Sequence, residues 1–245
     1  MRTLKIPHRY NGPAHSGNGG WTSGALAEAS GLQPPVTVRL KVPPPLGMNL
    51  AVAEVHDTVE LQIGMEVVAV ATSEGPESWT DWSSFAPVTI DEAHAAEEAY
   101  AGRRSHPFPS CFSCGPDREV GDGLRIFPGP VGERRVAATW TPDPSVAEPD
   151  GSVGVPVTWA ALDCVSAWSS DLEHRPVVLA QMTARVESPP QAGAPYVVQG
   201  LLRALDGRKT WTASAMFDDT GRLVAQAEQL WIAVDASVVA QLQAG

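Results

Sequence analysis

The sequence predicts an α+β fold of two fused repeats, each a curved antiparallel sheet wrapped around a central helix. Three observations predict it. Short apolar runs with strand-like alternation fill much of the 245 residues, and 22 glycines and 22 prolines punctuate them. Two apolar, small-residue helical segments stand among these runs, one in each half. The order helix, strand, Pro-Pro break and further strands occurs twice, as expected when a domain that would otherwise pair with a copy of itself is fused to one.

In the first half, Asn11-Gly12-Pro13 and Ser16-Gly17-Asn18-Gly19-Gly20 are turn chemistry. Behind them Trp21, Ala25, Leu26 and Ala29 recur at helical spacing, and Gly31 is the expected C-cap. Gly24, Ala25 and Ala27 leave room for a sheet to wrap closely. Val36, Val38, Leu40 and Val42 alternate on one face of a strand that Pro43-Pro44-Pro45 ends. Strands are expected over 50–55, 59–63 and 66–72. A surface helix is expected over 91–101, and a Pro/Gly-rich loop over 103–123.

In the second half, strands are expected over 124–127 and 135–140, then a loop over 142–156. Val157 to Trp168 reads as the second central helix. Strands over 178–186, 195–204, 209–217 and 223–234 complete the repeat, with Asp218-Asp219-Thr220-Gly221 as a hairpin turn. Val38-Arg39-Leu40-Lys41-Val42 followed by Pro44-Pro45-Leu46-Gly47 parallels Ala184-Arg185-Val186-Glu187 followed by Pro189-Pro190 and Gly193. The expected organisation is an N-terminal repeat with a trailing helix over 1–102, a linker carrying a Cys-x-x-Cys loop over 103–123, and a C-terminal repeat over 124–245.

Composition narrows the function. A net charge of −11 argues against non-specific nucleic-acid binding. No stretch approaches the roughly 18 unbroken apolar residues of a membrane span, and no apolar run follows Arg2 and Lys5 to suggest a signal peptide. Three cysteines do not make a secreted disulfide framework, so the cytoplasm is expected. There is no Gly-x-Ser-x-Gly elbow, Walker loop or Rossmann fingerprint.

Cys111-Phe112-Ser113-Cys114-Gly115, followed by Gly123-Leu124-Arg125-Ile126-Phe127, resembles the C-F-x-C-G and G-L-x-L-x-F entry of a branch of bacterial hotdog thioesterases. Asn11-Gly12-Pro13 through Asn18-Gly19-Gly20 resembles the opening of double-hotdog acyl-CoA thioesterase-like proteins. The resemblance covers nearly the whole chain. It implies two hotdog repeats and hydrolysis of acyl-CoA, or another acyl thioester, between them. Such chemistry needs an oriented water, a donor for the oxyanion and a pocket for the acyl chain. In the superfamily a helix N-terminus faces the carbonyl and a carboxylate serves the water.

Asn18-Gly19-Gly20 resembles the His-Gly-Gly that opens this helix in phenylacetic-acid-pathway-type thioesterases, with Asn18 in place of His. The resemblance implies an acid nine residues after the His. Here that residue is Ala27, and Glu28 follows, turned by roughly 100° around the helix. The second half carries Asp163 at the matching position, whereas its helix entry reads Gly154-Val155-Pro156. One composite site follows as an expectation: Asn18, Gly19 and Gly20 from the first half, with Asp163 from the second. Trp159, one turn before Asp163, would line an acyl pocket, and Gln181 and Glu28 are further candidates for substrate contact.

A non-catalytic acyl-thioester or lipid-binding protein is the alternative. A dehydratase would want a histidine on a central helix, and neither helix has one. Zinc would require four ligands. Cys111 and Cys114 supply two, His106 is a possible third, and Cys164 falls in the second central helix, so neither metal nor cofactor is expected. The superfamily forms larger assemblies, so a homo-oligomer is left open.

Overall fold

The computed structural model describes residues 2–244. Strand β1 (Arg2–Lys5) precedes helix α1 (Gly19–Ser30), and β2 (Val36–Leu40), β3 (Asn49–Val55), β4 (Thr58–Ile63) and β5 (Glu66–Thr72) follow. Helix α2 (Ile90–Ala96) comes next. Then β6 (Gly129–Gly132) and β7 (Arg135–Trp140) lead to α3 (Val155–Ala167). The chain continues with β8 (Val177–Val186), β9 (Tyr196–Asp206), β10 (Lys209–Asp218), β11 (Leu223–Ala233) and α4 (Ala236–Ala244).

All eleven strands form one sheet in the order β1-β3-β4-β5-β2-β8-β11-β10-β9-β7-β6. The order reads outward from the β2–β8 seam in the same way on both sides. β5, β4, β3 and β1 on one side correspond to β11, β10, β9 and β7 on the other, with β6 added at one edge. Each half therefore has the same topology around its own helix, and the chain is two fused hotdog repeats. The seam is antiparallel, with Val38 opposite Met182 and Thr37 opposite Thr183. The two threonine hydroxyls share a buried hydrogen bond of 2.7 Å.

Both central helices are buried, α1 through Leu26 and α3 through Leu162, neither of which is exposed at all. They pack against one another through glycine. A Cβ on Gly24 would lie 2.8 Å from Pro156 Cα and 2.9 Å from Trp159 Cβ, so only glycine admits this approach.

Several elements differ from expectation. The segment 124–127 is not a strand. Its apolar residues Leu124, Ile126 and Phe127 are core residues. Its backbone bonds instead to the Cys-x-x-Cys turn, Leu124 N–H to Phe112 O and Ile126 N–H to Ser113 O. Arg125, at φ +56°, breaks any ladder. The expected helix over 91–101 is the shorter α2, opened by a Thr89/Glu92 capping box and followed by short 3₁₀ turns over 97–99 and 101–103. The short edge strands β1 and β6 and the terminal helix α4 had no periodic signal. The segment 103–123 joins the repeats and is also part of the core, since Phe112 is fully buried and Phe112 N–H donates to Asn11 O. No helix is long and apolar enough to cross a membrane among the described residues.

Candidate functional site

Helix α1 begins at a constrained turn. Asn18 N–H donates to Tyr10 O and Gly17 N–H to Pro44 O, which fixes where the helix starts. Asn18 is the N-cap, its Oδ1 accepting from Trp21 N–H at 2.8 Å. Its Nδ2 donates to Ser113 Oγ at 3.2 Å, and Ser113 Oγ donates to Ala160 O at 2.8 Å. Asn18 thus ties the start of α1 to the inter-repeat segment and to α3.

Gly20 N–H donates to Asp163 Oδ2 at 2.9 Å, across 143 residues of sequence. The carboxylate of α3 therefore sits at the N-terminus of α1, where the helix dipole and free amides favour negative charge. Asp163 is only 2% exposed, and its Oδ1 is buried with no protein partner. Burial pushes its pKa up to about 7, opposed by the Gly20 N–H. Of the first three amides of α1, Gly20 and Trp21 are taken, and Gly19 N–H has no partner among the described residues.

Gly19 and Asp163 open onto a cavity of about 350 Å³. Its walls come from both repeats, with Leu40 on one side and Leu179 and Trp231 on the other, and Val238 and Leu242 of α4 close it. Exposed Lys41 lies among the lining residues. A larger cavity of about 1050 Å³ lies between the segment 79–91 and the sheet and includes Arg135 and Arg185. It contains no buried carboxylate, and the helix start it includes, that of α2 at Thr89 and Ile90, is already capped by Thr89 and Glu92, so the smaller cavity has the chemistry.

The pseudo-symmetric position at the start of α3 lacks both features. Its N-cap, Gly154, makes no side-chain cap bond, and Pro156, which has no N–H, stands where Gly20 stands in α1. Ala27 stands where Asp163 stands in α3. Each chain therefore has one such constellation.

The structure brings Asn18, Gly19, Gly20 and Asp163 together and places the other candidates elsewhere. Trp159 is 2% exposed and fills the space beside Gly24 between the helices, so it does not line the cavity. Gln181 accepts from Arg39 Nε at 2.9 Å and faces a different depression, with Ser78 and Trp211. Glu28 is exposed and outside the cavity, and partial desolvation followed by neighbouring Glu148 raises its pKa. Arg104 pairs with Glu173, and Arg103 lies over Phe127. Sequence reasoning took Gly24 as room for the sheet, whereas it admits α3, and missed the cavity walls from α4. The Gly20-x-x-x-Gly24 spacing was the available signal for a close helix crossing.

Sequence spacing also left the cysteines apart, and the fold assembles them. The Sγ atoms of Cys111, Cys114 and Cys164 all lie within 4.8 Å of one another, and none is in a disulfide. His106 Nε2 is 3.3 Å from Cys114 Sγ. Hydrogen bonds from Cys114 and Cys164 hold the Cys111 thiol well below its ordinary range, and burial pushes Cys114 up.

No family model matches the sequence, and no curated protein matches it. Solved structures do resemble parts of it. A thioesterase superfamily protein aligns at 24% identity over 45% of this chain and 54% of its own, with a TM-score of 0.42. The PaaI protein of the E. coli phenylacetic acid degradation operon aligns at 15% identity over 44% of this chain and 83% of its own, with a TM-score of 0.41. A Streptococcus mutans protein bound to acetyl-CoA aligns at 12% identity over 44% and 86%, with a TM-score of 0.41.

Proposed function

We propose that this chain hydrolyses an acyl thioester, an acyl-CoA, at the composite site between its repeats. The observation that carries the reading is the Asp163 carboxylate of α3, bonded through Oδ2 to the first turn of α1, with Oδ1 unpartnered beside an apolar cavity. A buried oxygen without a partner is costly, and a substrate-bound water would satisfy it.

The acyl chain occupies the cavity between Leu40, Leu179 and Leu242. The thioester carbonyl oxygen accepts from the Gly19 N–H, and the dipole of α1 stabilises the charge that develops there. Asp163 orients a water and takes one of its protons as the water oxygen bonds to the carbonyl carbon. The C–S bond then breaks, and the proton passes from Asp163 to the departing thiolate, giving carboxylic acid and thiol. Lys41 at the cavity offers a cation to a phosphate of the carrier. The three free thiols suit a reducing compartment such as the cytoplasm.

One observation favours the second reading, binding without turnover: the Gly20 N–H is already engaged by Asp163 and is not open to the substrate carbonyl. The test is release of free thiol from a panel of acyl-CoAs, short to long and aromatic, with native mass spectrometry of the purified protein. Turnover of any member supports hydrolysis. A retained acyl ligand with no turnover on any member selects binding, and neither turnover nor binding removes both.

A further inference from the structure

The thioester chemistry does not use the sulfur cluster, although the cluster adjoins its site. Cys111 and Cys114 come from the segment joining the repeats, Cys164 from the central helix of the second repeat, and His106 from the start of the same joining segment. Three thiols from two separate parts of the chain converge at one point, and the half-buried His106 ring lies beside one of them, Cys114.

The spacing of the three sulfurs fits one small ion, and His106 stands within reach of it beside Cys114. Tetrahedral zinc with bonds to sulfur of about 2.3 Å separates its sulfurs by roughly 3.8 Å, and a histidine nitrogen lies roughly 3.5 Å from each. Here Cys111 Sγ and Cys164 Sγ are 3.6 Å apart. All three sulfurs fall within 4.8 Å of one another, and His106 Nε2 is 3.3 Å from Cys114 Sγ. The surroundings are shaped as well. Cys111 and Cys114 are 3% and 2% exposed. Gly115 follows the pair where a Cβ would lie 2.4 Å from Pro109 O and 2.6 Å from Cys111 O, so the turn closes only with glycine. Tyr100 OH donates to Cys114 O at 2.8 Å, and Gly115 N–H donates to Cys111 O at 2.9 Å. These bonds hold the ligand-bearing backbone from outside the cluster.

We propose that Cys111, Cys114 and Cys164, with His106 as fourth ligand, form a structural zinc site that fastens the inter-repeat segment to α3. The need for a fastening is visible in the fold. The segment 104–128 has no helix or strand, yet it supplies Phe108, Phe112 and Ile126 to the core. Zinc binding displaces the thiol protons. His106 Nδ1 now accepts from Phe108 N–H at 2.9 Å, which leaves the ring proton on Nε2. Ligation moves that proton to Nδ1 and breaks the Phe108 contact. With four protein ligands the ion has no open position, so its role is structural.

The test uses the full-length chain, reduced, loaded with zinc and desalted, with cobalt(II) as a spectroscopic substitute. Stoichiometric zinc is expected, together with an intense thiolate-to-cobalt charge-transfer band and tetrahedral d–d bands. Chelation should lower the Tm, and added zinc should restore it. C164S should lose the charge-transfer intensity of one thiolate. His106→Gln should keep the thiolate bands and bind zinc about 10-fold or more weakly. Substoichiometric zinc in the wild type, or cobalt without a thiolate band, overturns the site whether or not the variants fold. Unchanged affinity in His106→Gln overturns the fourth ligand.

Discussion

Replacing Gly20 by alanine tests the contact on which the composite site depends. The added Cβ would lie 2.5 Å from Asp163 Cβ, 2.8 Å from Trp159 O and 2.9 Å from Asp163 Cγ. Carbon atoms settle about 3.5–4.0 Å apart, so α1 and α3 must separate by about 1 Å. None of the three atoms is the free end of a flexible side chain. Overpacking of this kind costs about 1–3 kcal/mol. The separation also stretches the 2.9 Å bond from Gly20 N–H to Asp163 beyond useful range, and a bond to a charged group contributes about 1.5–3 kcal/mol. Alanine returns at most about 1 kcal/mol of helix propensity. The net loss is about 2–5 kcal/mol, or a fall in Tm of about 5–15 °C for a chain of this length. Urea and thermal denaturation measure it. Gly75→Ala serves as the milder comparison, because its one new contact is a ring carbon, Pro35 Cγ at 3.2 Å, which needs to yield by only a few tenths of an ångström. A Gly20→Ala protein within about 1 kcal/mol of wild type would refute the close packing and the bond together.

Two further outcomes follow from the seam and the cavity. Thr183→Val removes the hydroxyl bonded to Thr37 at 2.7 Å, while Thr37 Oγ1 keeps its bond to Glu74 O. Urea denaturation should therefore show a loss of only about 0.5–1.5 kcal/mol, and a loss well above this would mean that the seam depends on that pair. Truncation after Asp235 removes Val238 and Leu242 from the cavity wall. Steady-state kinetics should show KM for the best acyl-CoA rising several-fold with a smaller change in kcat, and an unchanged KM would exclude α4 from substrate binding.

The parts of this fold carried by local pattern were legible in the sequence. The turn before α1, the glycine after it and the alternation of β2 are short-range signals, as are the apolar runs of β8 to β11. The two central helices were readable for the same reason, which placed Asp163 on a helix and Asn18-Gly19-Gly20 at the turn that leads into one before any contact was known. Direction was harder to read. Trp159 and Asp163 are one turn apart, yet the indole packs beside Gly24 while the carboxylate meets α1 and the cavity. That outcome depends on how closely the helices cross, which no single segment specifies. Gln181 shares its strand with cavity residues Leu179 and Ala180 but bonds to Arg39 across the seam. The apolar run 124–127 looked like a strand because burial, not pairing, demands its composition. The sulfur cluster was the least legible feature, because Cys164 meets Cys111 only after α3 packs against the joining segment.

The most direct test of the account compares steady-state hydrolysis of the best acyl-CoA by wild type and Asp163→Asn. The amide preserves size, and its oxygen still accepts from Gly20 N–H, so the fold should persist and the Tm should change little. The account predicts that kcat/KM falls by about 100-fold or more, the scale of a lost acid–base group. Equal turnover by a folded Asp163→Asn protein would contradict it and leave Asp163 as a tie between two helices.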